Sequence, residues 1–112
     1  MASLFKRAVA ANVGATPVTV VAAVPSAKVY TLIDVSCANV EPGATEVKGT
    51  VQHVAGGVTA HLIKAGPVPP GSAMIVVGAP RKVVMQVGDT LVAVADKATG
   101  MDVTVSYLEQ DV

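Results

Sequence analysis

The sequence predicts an all-β fold: an antiparallel β-sandwich or jelly roll of about eight strands carrying an extended N-terminal arm. Three observations lead there. Short valine-rich segments follow one another, and several alternate apolar and polar residues with a period of two. Proline and glycine pairs break the chain between them at close intervals. The apolar content, 52% of 112 residues, is built largely from Val and Ala, with two Tyr, one Phe and no Trp. Branching at Cβ restricts χ1 and suits a pleated surface, so a core of this kind favours packed sheets.

The elements follow in order. Residues 1–15 read as an arm, because Ser3 to Ala15 mixes polarities without a sustained period, and residues 16–112 read as the sandwich domain. Val18 to Val24 is the first strand, closed by Pro25-Ser26 because proline cannot donate to a central ladder. Lys28 to Ala38 is the second, with Val29, Thr31, Ile33, Val35 and Cys37 expected on the core face. Pro42-Gly43 supplies a preset φ followed by a permissive one, and the chain turns there. Thr45 to Val54 alternates, Val47, Gly49 and Val51 inward against Lys48, Thr50 and Gln52 outward. Gly56-Gly57 fits the mirror-image turn of a hairpin, and Val58 to Lys64 returns beside it.

Gly66 to Ser72, with Pro67, Pro69 and Pro70, is a corner where the chain is expected to cross between sheets before a strand from Ala73 to Val77. Gly78-Ala79-Pro80 is a further expected turn, and a strand from Lys82 to Val87 ends in the tight turn Gly88-Asp89. Thr90 to Asp96 is partly apolar on both faces, which suits an inner strand or one whose outer face meets another subunit. Lys97 to Gly100 then turns the chain into the last strand, Asp102 to Glu109.

Composition narrows the function. Eight basic and eight acidic residues give a formal net charge of zero. Phosphate binding needs clustered cations, so no nucleic-acid partner is expected. No run of about 18 apolar residues is present, so no membrane partner is expected, and no export signal is read at the start of the chain. A small aromatic-poor core and low surface charge point to a protein packed against neighbours, a homo-oligomer. The single cysteine, Cys37, can form no internal disulfide and is expected to be a buried hydrophobe.

Nothing in the pattern calls for catalysis. His53 and His61 flank the Gly56-Gly57 hairpin and in one register would lie diagonally on one face, but a metal site needs a third and usually a fourth ligand. Asp89 and Asp102 stand where carboxylates stabilise turns. Ser36, Ser72 and Ser106 lack the Gly-x-Ser-x-Gly elbow. No catalytic residue, metal ligand or cofactor is therefore expected, and the reading is of a non-enzyme. Leu4, Phe5, Lys6 and Arg7 form the candidate interface: the only Phe and a pair of charges that could dock in a neighbour's groove, or fold back on the chain's own sandwich.

The runs Tyr30 to Asn39, Ile63 to Ala73 with its Gly66-Pro67-Val68-Pro69-Pro70-Gly71 corner, Gly88-Asp89-Thr90-Leu91, and Asp102 to Glu109 resemble small virion proteins of tailed bacteriophages, over about residues 16 to 109. The resemblance implies a β-sandwich that is a structural part of the virion, assembled in the host cytoplasm, with the major capsid protein or other virion proteins as partners. A capsid decoration (cement) protein is the leading expectation; a neck, tail or baseplate component is the alternative. Where such proteins carry aromatics before the proline corner, this chain has Ala60-His61-Leu62. A carbohydrate-binding sandwich is a further alternative, with Tyr30 and Tyr107 as the available platform.

Overall fold

Two antiparallel sheets pack face to face around one core in the computed structural model, which describes residues 3–78 and 82–112. The nine strands are β1 (Ser3–Val13), β2 (Val18–Val21), β3 (Lys28–Asn39), β4 (Val47–Ala55), β5 (Val58–Val68), β6 (Ala73–Val77), β7 (Val83–Met85), β8 (Thr90–Ala95) and β9 (Met101–Asp111). The larger sheet runs β1-β9-β3-β6, with β7 also paired to β3; the smaller runs β2-β8-β4-β5. Leu32, Val35, Cys37, Met101, Val103 and Val105 of the first pack on Val47, Val51, Leu91 and Ala93 of the second. The fold is the all-β sandwich expected. The turn expected at residues 78–80 falls largely outside the described residues, as does Arg81.

The chain changes sheet repeatedly, and the punctuation residues mark several of the crossings. β5 runs through Gly66 and Pro67 to Val68; Pro69-Pro70-Gly71 then turns the chain, Ser72 N–H donating to the Pro69 carbonyl at 3.1 Å, and β6 begins in the other sheet. The proline corner is thus the crossing that was expected. Gly56 and Gly57, at φ +57° and +82°, close the β4–β5 hairpin, which joins consecutive strands paired to each other. Val47, Gly49 and Val51 face the core as the alternation required. β8 lies inside its sheet between β2 and β4, which accounts for apolar groups on both its faces.

Three expectations are corrected. The segment read as an arm is extended but is not separate from the sandwich: residues 3–10 of β1 are paired in continuous register with β9, from Ser3↔Gln110 to Ala10↔Val103. Its period of two is real, with Leu4, Lys6, Ala8 and Ala10 on the core-facing side and Phe5, Arg7 and Val9 outward. A lysine inward and a phenylalanine outward invert the usual polarity and hide the pattern. This strand makes nine where about eight were expected.

In β3 the expected core face holds only for its second half. Tyr30 and Leu32 are buried in the first half, then Val35 and Cys37, because the pairing with β9 skips Ile33 between Leu32↔Tyr107 and Asp34↔Ser106. One extra residue in a strand shifts every later side chain to the other face. β2 and β7 are also shorter than their valine runs suggest. β2 stops at Val21, although Val24 is buried and its N–H donates to the Asp89 carbonyl at 3.1 Å. β7 covers three residues of the expected six-residue run from Lys82 to Val87.

Candidate assembly surface

The histidines, Asp89 and Asp102 that sequence chemistry singled out each have a structural partner. The two histidines lie on opposite faces of β4–β5, since Gln52 is the cross-strand partner of His61 and Ala60 that of His53. The register that would have joined them diagonally is not the one formed. His61 Nε2 meets the Gln52 amide at 3.3 Å on the outer face. His53, on the inner face opposite Leu91, places Nε2 2.8 Å from Asp89 Oδ2. That same oxygen accepts the Gln86 N–H at 3.0 Å, so Asp89 ties the β7–β8 turn to β4.

Three further carboxylates are also engaged by backbone donors. Asp102 Oδ1 accepts the Asn12 N–H at 2.8 Å, and Asp96 Oδ1 accepts the Lys48 N–H at 2.8 Å. Glu41 accepts the Thr45 hydroxyl at 2.7 Å and the Thr45 N–H at 3.1 Å, and these bonds, the hydroxyl's first, hold its carboxyl below the usual range. Burial pushes the Cys37 thiol up to about 11, so it stays protonated and unreactive. Among the described residues no three His, Cys, Asp or Glu side chains are grouped to hold a metal ion.

Leu4, Phe5, Lys6 and Arg7 do not form one patch. Alternation along β1 sends Leu4 and Lys6 to the inner side and Phe5 and Arg7 to the outer one. The Lys6 ammonium reaches Glu109 Oε2 at 2.8 Å, and this bond raises its pKa. Glu109, on the inner face of β9, is only 6% exposed, so Lys6 supplies the charge that makes its burial tolerable. Sequence reading missed this pair because the two residues are a hundred positions apart. Beside them Tyr107 stacks on Tyr30 with ring centroids 4.6 Å apart, and burial raises the Tyr107 pKa. Both tyrosines are buried in the core.

Outward, the larger sheet presents cross-strand rows. Phe5, Leu108, Thr31 and Val84 form one row across β1, β9, β3 and β7. Arg7, Ser106 and Asp34 form the next. Val9, Thr104, Ser36 and Ile75 form another. Phe5 is 82% exposed and Ile75 70%, and Val9 and Val84 are also open to solvent. A polar row carrying both charges is therefore flanked by apolar side chains. An open groove of about 520 Å³ lies along it, lined in part by Phe5, Arg7, Ile33 and Ser106. By contrast, one row of the smaller sheet's outer face reads His61, Gln52, Val92, Thr19. Ile75 and Val84 were not legible as surface residues, because the runs Met74 to Val77 and Val83-Val84 are apolar without alternation.

No known family model matches the chain, and no curated protein matches it. Among solved structures, it is similar to a chain from the work described as "Bacillus endospore appendages form a novel family of disulfide-linked pili". That chain is 17% identical with a TM-score of 0.45, the match covering 99% of this chain and 86% of that one.

Proposed function

We propose that this chain is a structural protein that works by protein–protein contact, and that its particular role is that of a decoration protein on the capsid of a tailed bacteriophage. The observation that carries the contact reading is the outer face of the larger sheet, where Phe5 and Ile75 stand almost bare on either side of the Arg7–Ser106–Asp34 row. Exposed apolar groups on a firmly hydrogen-bonded sheet, interleaved with charges, suit docking on another protein. Burial there would contribute about 25 cal/mol per Å² of apolar area, summed over many copies on a shell. The phage assignment is supported by the sequence resemblance of about residues 16 to 109.

A non-catalytic role is supported by Asp89, Asp96, Asp102 and Glu41, each with a carboxylate oxygen engaged by a backbone donor. The carbohydrate alternative loses its platform, since Tyr30 and Tyr107 are stacked on each other inside the sandwich. The partner is then the major capsid protein. The test is copy number in purified particles, read together with a Phe5→Ser/Ile75→Ser variant. Decoration predicts a copy number comparable to that of the shell protein and loss of incorporation in the variant. A count confined to one vertex or one tail ring would replace it with the neck, tail or baseplate reading.

A further inference from the structure

β1 has an unusual division of labour. Its root is fixed: Val13 is fully buried, its carbonyl accepts the Gly100 N–H at 3.0 Å, and the Gly14 carbonyl accepts the Ala95 N–H at 2.8 Å. Gly14 is pressed so closely on the β8–β9 turn that a Cβ there would lie 2.4 Å from the Ala98 carbonyl oxygen. Residues 3–10, in contrast, are exposed or half-exposed throughout, and only Ala8 and Ala10 pack on the core. Between root and strand the register with β9 breaks at residues 11–12, and Asn12 sits at φ +55°. The break interrupts the ladder and is a natural pivot, and Asn, which tolerates the left-handed region, suits it.

The edge of β9 that residues 3–10 cover is also selective. It presents the buried carboxylate of Glu109, which needs a cation delivered from the neighbouring strand, and beside it Val105 and Val103, opposite which lie Ala8 and Ala10. Lys6, Ala8 and Ala10 fit those places together in one register. Any strand with that sequence, from the same copy or another, satisfies them equally.

We propose that β1 is an exchangeable strand: residues 3–10 of one copy occupy the β9 edge of a second copy, linking chains while each keeps its own root at Val13–Gly14. The link repeats an interface already present within one chain, so it requires no new complementary surface and is favoured as concentration rises. It goes beyond the decoration reading and does not depend on it, since it concerns how copies join each other and not what they dock on.

Arg7 and Ser106 are directly opposite across β1 and β9, and such partners lie about 4.5–5.5 Å apart at Cα, within reach of a disulfide. Two singly substituted chains, Arg7→Cys and Ser106→Cys, are mixed, unfolded and refolded together at high protein concentration, then oxidised; buried Cys37 remains in both. The expected result is a covalent dimer containing one chain of each kind, formed several-fold more than between Arg7→Cys and Gln110→Cys, whose position pairs with Ser3 instead. An Arg7→Cys/Ser106→Cys double variant, refolded dilute, shows that the bond closes within one chain. Closure there with no mixed dimer, or equal yields from the in-register and out-of-register mixtures, would overturn strand exchange.

Discussion

β1 and β5 are both eleven-residue edge strands, one on each sheet, and they are protected in different ways. β5 is tethered to β4 by a tight glycine turn, its register with β4 is broken twice, Ala65 lies at φ +52°, and Pro67 removes a donor. Bulges and proline are the usual means of blunting an edge. β1 has regular pairing over residues 3–10 and Lys6 turned inward toward Glu109. The first edge is closed by its backbone, the second by one inward charge. An edge guarded by backbone geometry is closed to every strand, whereas the β9 edge beneath β1, matched through a charge pair, admits any strand carrying the matching charge.

The roots offer the strongest way to break this comparison. Gly14→Ala sets a Cβ against a backbone carbonyl that cannot withdraw, and is expected to cost about 1–3 kcal/mol. Gly66→Ala, near the end of β5, meets Ile63 Cδ1 and Cγ1 and the Met74 sulfur, side-chain atoms that can give where a backbone carbonyl cannot, and is expected to cost less than Gly14→Ala. Denaturant midpoints of the two variants measure the difference; a reversed order would show that β1 is not rooted at Gly14.

Next in size is local opening. Amide exchange of β1 residues 3–10 is expected at low opening free energies, while β3, buried within its sheet, exchanges near the global limit. Equal protection of β1 and β3 would mean that the strand does not open separately.

A smaller effect distinguishes the charge itself. Glu109 raises the Lys6 pKa in the folded state, so this contribution is complete below the ordinary lysine value and is lost as pH rises through the folded one. Burial raises the Tyr107 pKa too, and above the ordinary tyrosine value the unfolded chain ionises first, which acts in the same direction. Stability should therefore fall from about pH 10 upward, and a Lys6→Met variant should show a shallower fall. Thermal melts between neutral and alkaline pH check this. The smallest effect is Phe5→Ser: at so exposed a position the isolated chain should change by no more than about 0.5 kcal/mol, so a larger loss would show that Phe5 folds back on its own sandwich.

What could be read in the sequence was local. The Gly56-Gly57 hairpin, the crossing after Pro69-Pro70 and the inward set of β4 each depend on a few consecutive residues, and each was legible. β1 was hidden because Lys6 faces inward and Phe5 outward. β3 was half misread because nothing in Leu32-Ile33-Asp34 marks a bulge; it is produced by pairing with residues seventy positions away. The contact surface was legible only at Phe5 and Arg7. Its other members, Ile75 and Val84, are brought beside them by pairing through β3 and β9, and the Lys6–Glu109 and His53–Asp89 pairs are equally non-local.

The central place of β9 sets a timetable. Among the nine strands it is the last made, yet it separates β1 from β3 in the larger sheet. At about 5–20 residues per second of synthesis, β1 emerges early and its partner arrives roughly 5–20 s later. During that interval an early strand is present without its edge, on every ribosome translating the chain. Neighbouring copies growing on one message would thus offer each other strands before any of them can fold its own.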